Sequence, residues 1–170
     1  AVYTHAGSVQ RAVLFNNRFL FYASSGLKTY LYTSSNGSSW APVAVQGFPA
    51  DVVDLRSVTE FNNALFYVHE NGDIYSSPNG SSWTKVPADA GGNVLVNLMF
   101  VLEGKMWATV KNTTSGQHYF ATSSNGVAWT VGTELPSGFP VGDYAALSFT
   151  SRTNKPKAIV LGGYSASGTL

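Results

Sequence analysis

The chain of 170 residues contains no cysteine. That excludes disulfides, thiolate metal sites and a cysteine nucleophile, and it leaves the redox compartment open. Charge is scarce as well. Only 11% of residues are Asp, Glu, Lys or Arg, against ~25% in ordinary soluble domains. The polar surface must therefore be built from Ser, Thr, Asn and Gly. The net charge is +1, and Arg11, Arg18, Arg56 and Arg152 are spread along the chain. Nothing here offers the clustered basic face that nucleic acid requires. No apolar run reaches the ~18 residues of a membrane helix. The sequence opens at Ala1 with neither an initiator Met nor a signal peptide; the expectation is either processing or a piece of something longer.

What is present is a repeat. Apolar residues make up 44% and aromatics 14%, ample for a buried core. Three phrases, YTSSNGSSW ending at Trp40, YSSPNGSSW ending at Trp83 and ATSSNGVAW ending at Trp129, recur at intervals of 43 and 46 residues. A period of 40 to 50 residues points to a propeller whose units are four-stranded blades. Before each phrase lie two runs rich in Val, Leu, Phe and Tyr, joined at Asn16-Asn17, Asn62-Asn63 and Glu103-Gly104. These pairs suit tight hairpins, because Asn and Gly adopt positive φ at low cost. A third strand follows (KTYLYTS, GDIYSS, QHYFATS), and Asn36-Gly37, Asn79-Gly80 and Asn125-Gly126 turn the chain into a fourth. Continuous apolar runs fit sheets covered on both faces. No capped helical pattern occurs anywhere. The expected fold is all-β, a propeller of about 3.5 to 4 antiparallel blades at 8–46, 51–87, 94–134 and an incomplete 141–170, with 1–7 as an outer strand.

In this reading the phrase is a turn with a plug. Asn-Gly makes the reversal, hydroxyls satisfy loop backbone, and Trp40, Trp83 and Trp129 wedge between blades. The phrase resembles a degenerate Asp-box of sialidase-like propellers. Thr33, Gly37, Ser39 and Trp40 match it, as do Ser76, Gly80, Ser82 and Trp83, and Thr122, Gly126 and Trp129. Ser35, Pro78 and Ser124 stand where the acid belongs. Gly162, Gly163 and Tyr164 after an apolar strand resemble a kelch-type blade. The resemblance, to bacterial secreted or lipoprotein propellers including galactose-oxidase-like central domains, implies fold and not catalysis.

A fourth phrase at the same interval falls beyond Leu170. Three readings follow: a four-bladed ring closed by the N-terminal strand, about half of a ring of six to eight blades whose other blades are missing here, or one ring completed by two such chains. The larger ring is preferred, since a missing strand leaves a long open edge.

Catalytic constellations are absent from the sequence. Gly163-Tyr164-Ser165-Ala166-Ser167 fails as a nucleophile elbow at its last residue, and no zincin, phosphate-loop or dinucleotide motif occurs. His5, His69 and His118 are far apart, so no metal and no cofactor is expected. A sialidase needs an arginine triad, a tyrosine nucleophile with a glutamate partner, and an acid; none of the arginines sits in a matching motif. Asp51, Asp54 and Asp143 read as solvated loop acids, and Glu60, Glu70, Glu103 and Glu134 lie at turns or strand ends.

Binding has more support. The first strand of each blade lines the tunnel of a propeller, so equivalent positions form a ring. Five residues before Phe15, Phe61 and Leu102 stand Gln10, Arg56 and Asn97, with Tyr144 as the fourth. Such a ring suits a glycan or an anionic ligand. Trp107 aligns with Leu20 and Phe66, which assigns it to the core. Asn36, Asn79 and Asn112 sit in glycosylation triplets, two of which come with the turn phrase itself. The expected role is a non-catalytic module, extracellular or at the cell surface, binding carbohydrate or a protein partner. The alternatives are part of a glycosidase-like enzyme and a structural domain of a phage tail or fibre.

Overall fold

The computed structural model describes residues 8–25, 28–49, 58–69, 71–87, 94–136, 145–150 and 156–161. Every assigned element among them is a β-strand. The all-β propeller class expected from the repeat holds. The chain divides into two compact units, Ala1–His69 with Ile74–Val86, and Glu70–Asp73 with Pro87–Leu170.

The first unit holds two four-stranded sheets of consecutive antiparallel strands. One is β1 (Ser8–Phe15), β2 (Arg18–Ser25), β3 (Lys28–Ser34) and β4 (Ala41–Val43). The other is β5 (Thr59–Phe61), β6 (Ala64–Val68), β7 (Ile74–Ser77) and β8 (Thr84–Val86). The second unit repeats the pattern in β9 (Val94–Leu102), β10 (Lys105–Asn112), β11 (His118–Ser123) and β12 (Thr130–Glu134). It adds the hairpin β13 (Ala145–Thr150) and β14 (Pro156–Leu161).

Local chemistry explains the hairpins. Asn16, Asn17, Asn62, Asn63 and Glu103 all have positive φ between 48° and 58°, and Gly104 has φ +70°. Two successive left-handed residues twist the chain in the sense that antiparallel strands require, and Asn carries that conformation at little cost.

The core of the first unit lies between its two sheets. Phe15, Leu20, Tyr22 and Leu31 of the first sheet meet Val58, Leu65, Tyr67 and Trp83 of the second. Val45 and Phe48, from the connection after β4, pack against the same cluster. The β1–β2 register pairs Val13 with Leu20 and Arg11 with Tyr22, while Leu14 pairs with Phe19 and Ala12 with Phe21. Strand alternation thus gives the first sheet two faces. Leu20 and Tyr22 look toward the second sheet. Phe19, Phe21 and Leu14 look away.

Candidate functional site

The repeated phrase builds the same hydrogen-bonded cage three times. Ser34 Oγ donates to Asn36 Oδ1 at 3.1 Å and accepts from Gly37 N at 2.9 Å. Asn36 Oδ1 also accepts from the amides of Ser38 and Ser39, both at 2.9 Å. Ser77, Asn79 and Gly80 repeat this toward Ser81 and Ser82. Ser123, Asn125 and Gly126 repeat it toward Val127 and Ala128. The serines are buried and saturated, and the glycines take φ +75°, +81° and +75°. One carboxamide oxygen therefore gathers the loop amides, one residue after the position that the Asp-box alignment assigns to an acid. A cage this fully engaged holds a turn and has no hydroxyl poised for chemistry.

The tryptophans divide. Trp83 is 4% exposed and Trp129 7%, but Trp40 is only half-buried. Trp83 donates Nε1–H to Gly80 O at 3.1 Å, as Trp40 does to Gly37 O at 3.2 Å. Trp83 lies edge-on to Phe48 at 4.8 Å and near Tyr22 at 6.3 Å. It is the wedge between the two sheets of the first unit. Trp40 touches Phe21 of its own sheet at 4.4 Å and faces outward, because the face it sits on is open. Trp107 stacks on Phe100 and meets Phe120 edge-on, at 6.5 and 6.2 Å between ring centres.

Two of the four positions named for the tunnel ring, Gln10 and Asn97, fall at an irregularity. The β1–β2 register passes from Val9–Ala23 directly to Arg11–Tyr22, leaving Gln10 as the extra residue. The β9–β10 register passes from Val110–Val96 to Thr109–Leu98, leaving Asn97 as the extra residue. Both first strands thus carry a β-bulge five residues before their last residue, Phe15 in β1 and Leu102 in β9. Such bulges bend a strand and re-aim a side chain, and they gather near binding sites. The signal for the bulge was not in the local sequence; it emerged only from the strand register. Arg56 and Tyr144 lie outside the described residues, as do His5, Glu70, Asp51, Asp54, Asp143, Arg152, Gly162, Gly163, Tyr164 and the segment 1–7.

Other polar groups are dispersed. Among the described residues no cluster of three or more His, Asp or Glu side chains is arranged to hold a metal. His69 is buried beside Tyr67. Partial burial, helped by the nearby Lys111 charge, lowers the pKa of His118 below its ordinary value. Glu134 accepts from Gln117 Nε2 at 2.9 Å, and Gln117 Oε1 accepts from the Tyr119 hydroxyl at 3.0 Å, all on an exposed edge. Glu60 and Glu103 are exposed. No helix is long and apolar enough to cross a membrane among the described residues.

The model of the DUF6242 beta propeller domain matches residues 2–170. No curated protein matches the chain. Among solved structures, YCF48 bound to D1 peptide is 20% identical, with a TM-score of 0.47, over 74% of this chain and 39% of that one. The exo-inulinase from Aspergillus awamori is 13% identical, with a TM-score of 0.45, over 91% of this chain and 43% of that one. The Bombyx mori GH32 β-fructofuranosidase BmSUC1 is 14% identical, with a TM-score of 0.42, over 89% and 42%. The chain spans about two fifths of the length of these structures.

Proposed function

The chain belongs to the DUF6242 beta propeller family, and from that premise we propose that it is a non-catalytic binding module. Its ligand contacts come from Gln10 and Asn97, at the bulges of β1 and β9, together with Arg56 and Tyr144 at the corresponding positions of the sequence repeat. The ligand is a carbohydrate or a protein segment, either of which offers hydroxyl or amide groups to carboxamide, guanidinium and phenol side chains. The setting is extracellular or the cell surface, in keeping with a cysteine-free and weakly charged chain.

One observation carries this reading. The same bulge recurs at Gln10 and at Asn97, at the equivalent register position of two sheets. A ladder irregularity at one register position of two sheets, each time with a carboxamide residue, is a feature that folding alone does not require. Hydrolysis has no comparable support, because the sequence carries no catalytic motif.

The test is binding to a glycan array and a peptide panel, with product release assayed in parallel. Asn97→Ala and Arg56→Ala are expected to weaken binding by roughly tenfold each, the loss of about 1.4 kcal/mol of polar contact, with melting temperature little changed. Sugar release that disappears in Arg56→Ala or Asp54→Asn would replace the reading with an enzyme. Unchanged binding in all variants would remove the ring from consideration.

A further inference from the structure

The chain contains four Asn-Gly steps, at Asn36-Gly37, Asn71-Gly72, Asn79-Gly80 and Asn125-Gly126. Such a step can cyclise unaided, because glycine has no Cβ to hold its backbone nitrogen away from the preceding carboxamide. The glycine nitrogen bonds to the asparagine Cγ, the Cγ–Nδ2 bond breaks, and the nitrogen's proton leaves with the amine as ammonia. Water then opens the succinimide to aspartate or isoaspartate. By sequence the four steps are equally open to this reaction. The structure separates them.

In three of them the attacking nitrogen is already engaged. Gly37 N donates to Ser34 Oγ at 2.9 Å, and Gly80 N and Gly126 N donate to Ser77 Oγ and Ser123 Oγ at 2.8 Å. Each hydroxyl donates in turn to its asparagine Oδ1, at 3.1, 3.2 and 3.1 Å. Cyclisation there must break the N–H···Oγ bond and draw the carboxamide off two further amides. At the fourth step His69 stands two residues before the asparagine, where the other three have serine, so that place offers Gly72 N no hydroxyl. Asn71 is held through Asp73 instead. Asp73 N donates to Asn71 Oδ1 at 2.9 Å, and Asp73 Oδ2 accepts from Asn71 Nδ2 at 3.1 Å. These bonds fix the carboxamide and leave the glycine nitrogen out of the cage.

Exposure alone would give a different order. Asn36 and Gly37 are both exposed, whereas Asn71 is exposed and Gly72 half-buried. Access of water therefore does not single out the fourth step; the missing hydroxyl does. We infer that Asn71 is a site of spontaneous modification in the folded protein, converting to aspartate or isoaspartate through the Gly72 nitrogen, and that the serine of each tryptophan phrase keeps its own Asn-Gly step intact. The product alters the turn between β6 and β7. A second carboxylate arises beside that of Asp73, and like charges that close repel. Isoaspartate also lengthens the backbone by one methylene where there is little room, since a Cβ on Gly72 would come within 2.8 Å of Leu95 Cδ2.

The test is prolonged incubation of the full chain at neutral pH, followed by peptide mapping with mass spectrometry that resolves aspartate from isoaspartate. In the folded chain position 71 is expected to convert roughly tenfold faster than positions 36, 79 and 125, the factor that one hydrogen bond supplies. In urea, where the cages are gone, the four rates are expected to converge. Ser34→Ala is expected to raise the rate at position 36 to that at position 71, while positions 79 and 125 of the same molecule stay slow and show that the other cages persist. Conversion at position 36 of the folded parent as fast as at position 71 overturns the inference. So does a Ser34→Ala chain in which position 36 stays slow, and so does a gap between the four rates that is as wide in urea as in the folded chain, which would assign it to sequence. The folded and urea arms of the parent decide the matter even where the variant fails to fold.

Discussion

Replacing Tyr22 by Phe isolates one bond between the two sheets of the first unit. The side chain is fully buried, and its hydroxyl donates to Gly80 O at 2.7 Å. Phe keeps the ring and its packing and removes only the donor. Gly80 O retains a second donor, the Trp83 indole at 3.1 Å, so the carbonyl is not orphaned. The loss is then one net hydrogen bond, about 1 kcal/mol near neutral pH, rather than the ~3 kcal/mol of a stranded buried acceptor. The same phenol adds a pH signature. Burial raises its pKa well above the ordinary tyrosine value, while the unfolded chain releases the proton near pH ~10. Above that pH the folded form holds more protons than the unfolded one. The stability is fully present below pH ~10 and declines by about 1.4 kcal/mol per unit as pH rises further. Tyr22→Phe lacks this term, so the two proteins are expected to become equally stable near pH ~11. Urea unfolding followed by tryptophan emission, at pH 7 and across pH 9 to 11.5, measures both. A difference at pH 7 that persists unchanged at pH 11 would refute the reasoning, because it would mean that the phenol is not held protonated between the sheets.

Four further outcomes are expected. Gly47→Ala meets Trp83 O at 2.0 Å with φ +69°, which pushes the connection off the second sheet and breaks both Gln46 bonds, at a cost of roughly 2–4 kcal/mol in chemical denaturation. Trp83→Ala costs about 3–5 kcal/mol and Trp40→Ala about half of that or less, since one indole is enclosed and the other half-open; equal losses in urea titrations would contradict the difference in burial. Asn79→Ala removes the acceptor for Ser81 N and Ser82 N and lowers stability by about 1–2 kcal/mol, whereas Asn79→Asp keeps it and recovers most of the loss in the same titration. His118 titrates below its ordinary value through burial and Lys111, so the folded form resists protonation and stability falls as pH drops below about 6.5; Lys111→Met moves the His118 proton NMR titration upward.

The parts of the fold that local chemistry controls could be read from the chain. Asn16-Asn17 and Asn62-Asn63 specify left-handed turns wherever they occur, and the Ser-x-Asn-Gly run closes its own cage within six residues. Strand order followed, because consecutive strands joined by such turns have only their neighbours to pair with. Counting back from the turn also named Gln10 and Asn97. That they are the extra residues of a bulge was not legible, since a bulge is a relation between two strands and neither sequence marks it.

Trp40 and Trp83 make the dividing line plain. Their phrases, YTSSNGSSW and YSSPNGSSW, are nearly identical and form nearly identical turns. One indole is enclosed and the other is half-open because Phe48, Tyr22 and the Gln46 connection reach the second sheet from residues 35 or more positions earlier, and among the described residues no such neighbour reaches the first. Hydrogen bonds within a turn depend on residues a few positions apart, so the chain itself carried the turns, the strands and the repeat. Burial depends on what stacks across a face, so tertiary structure alone decided which copy of the motif is core and which stays half-exposed.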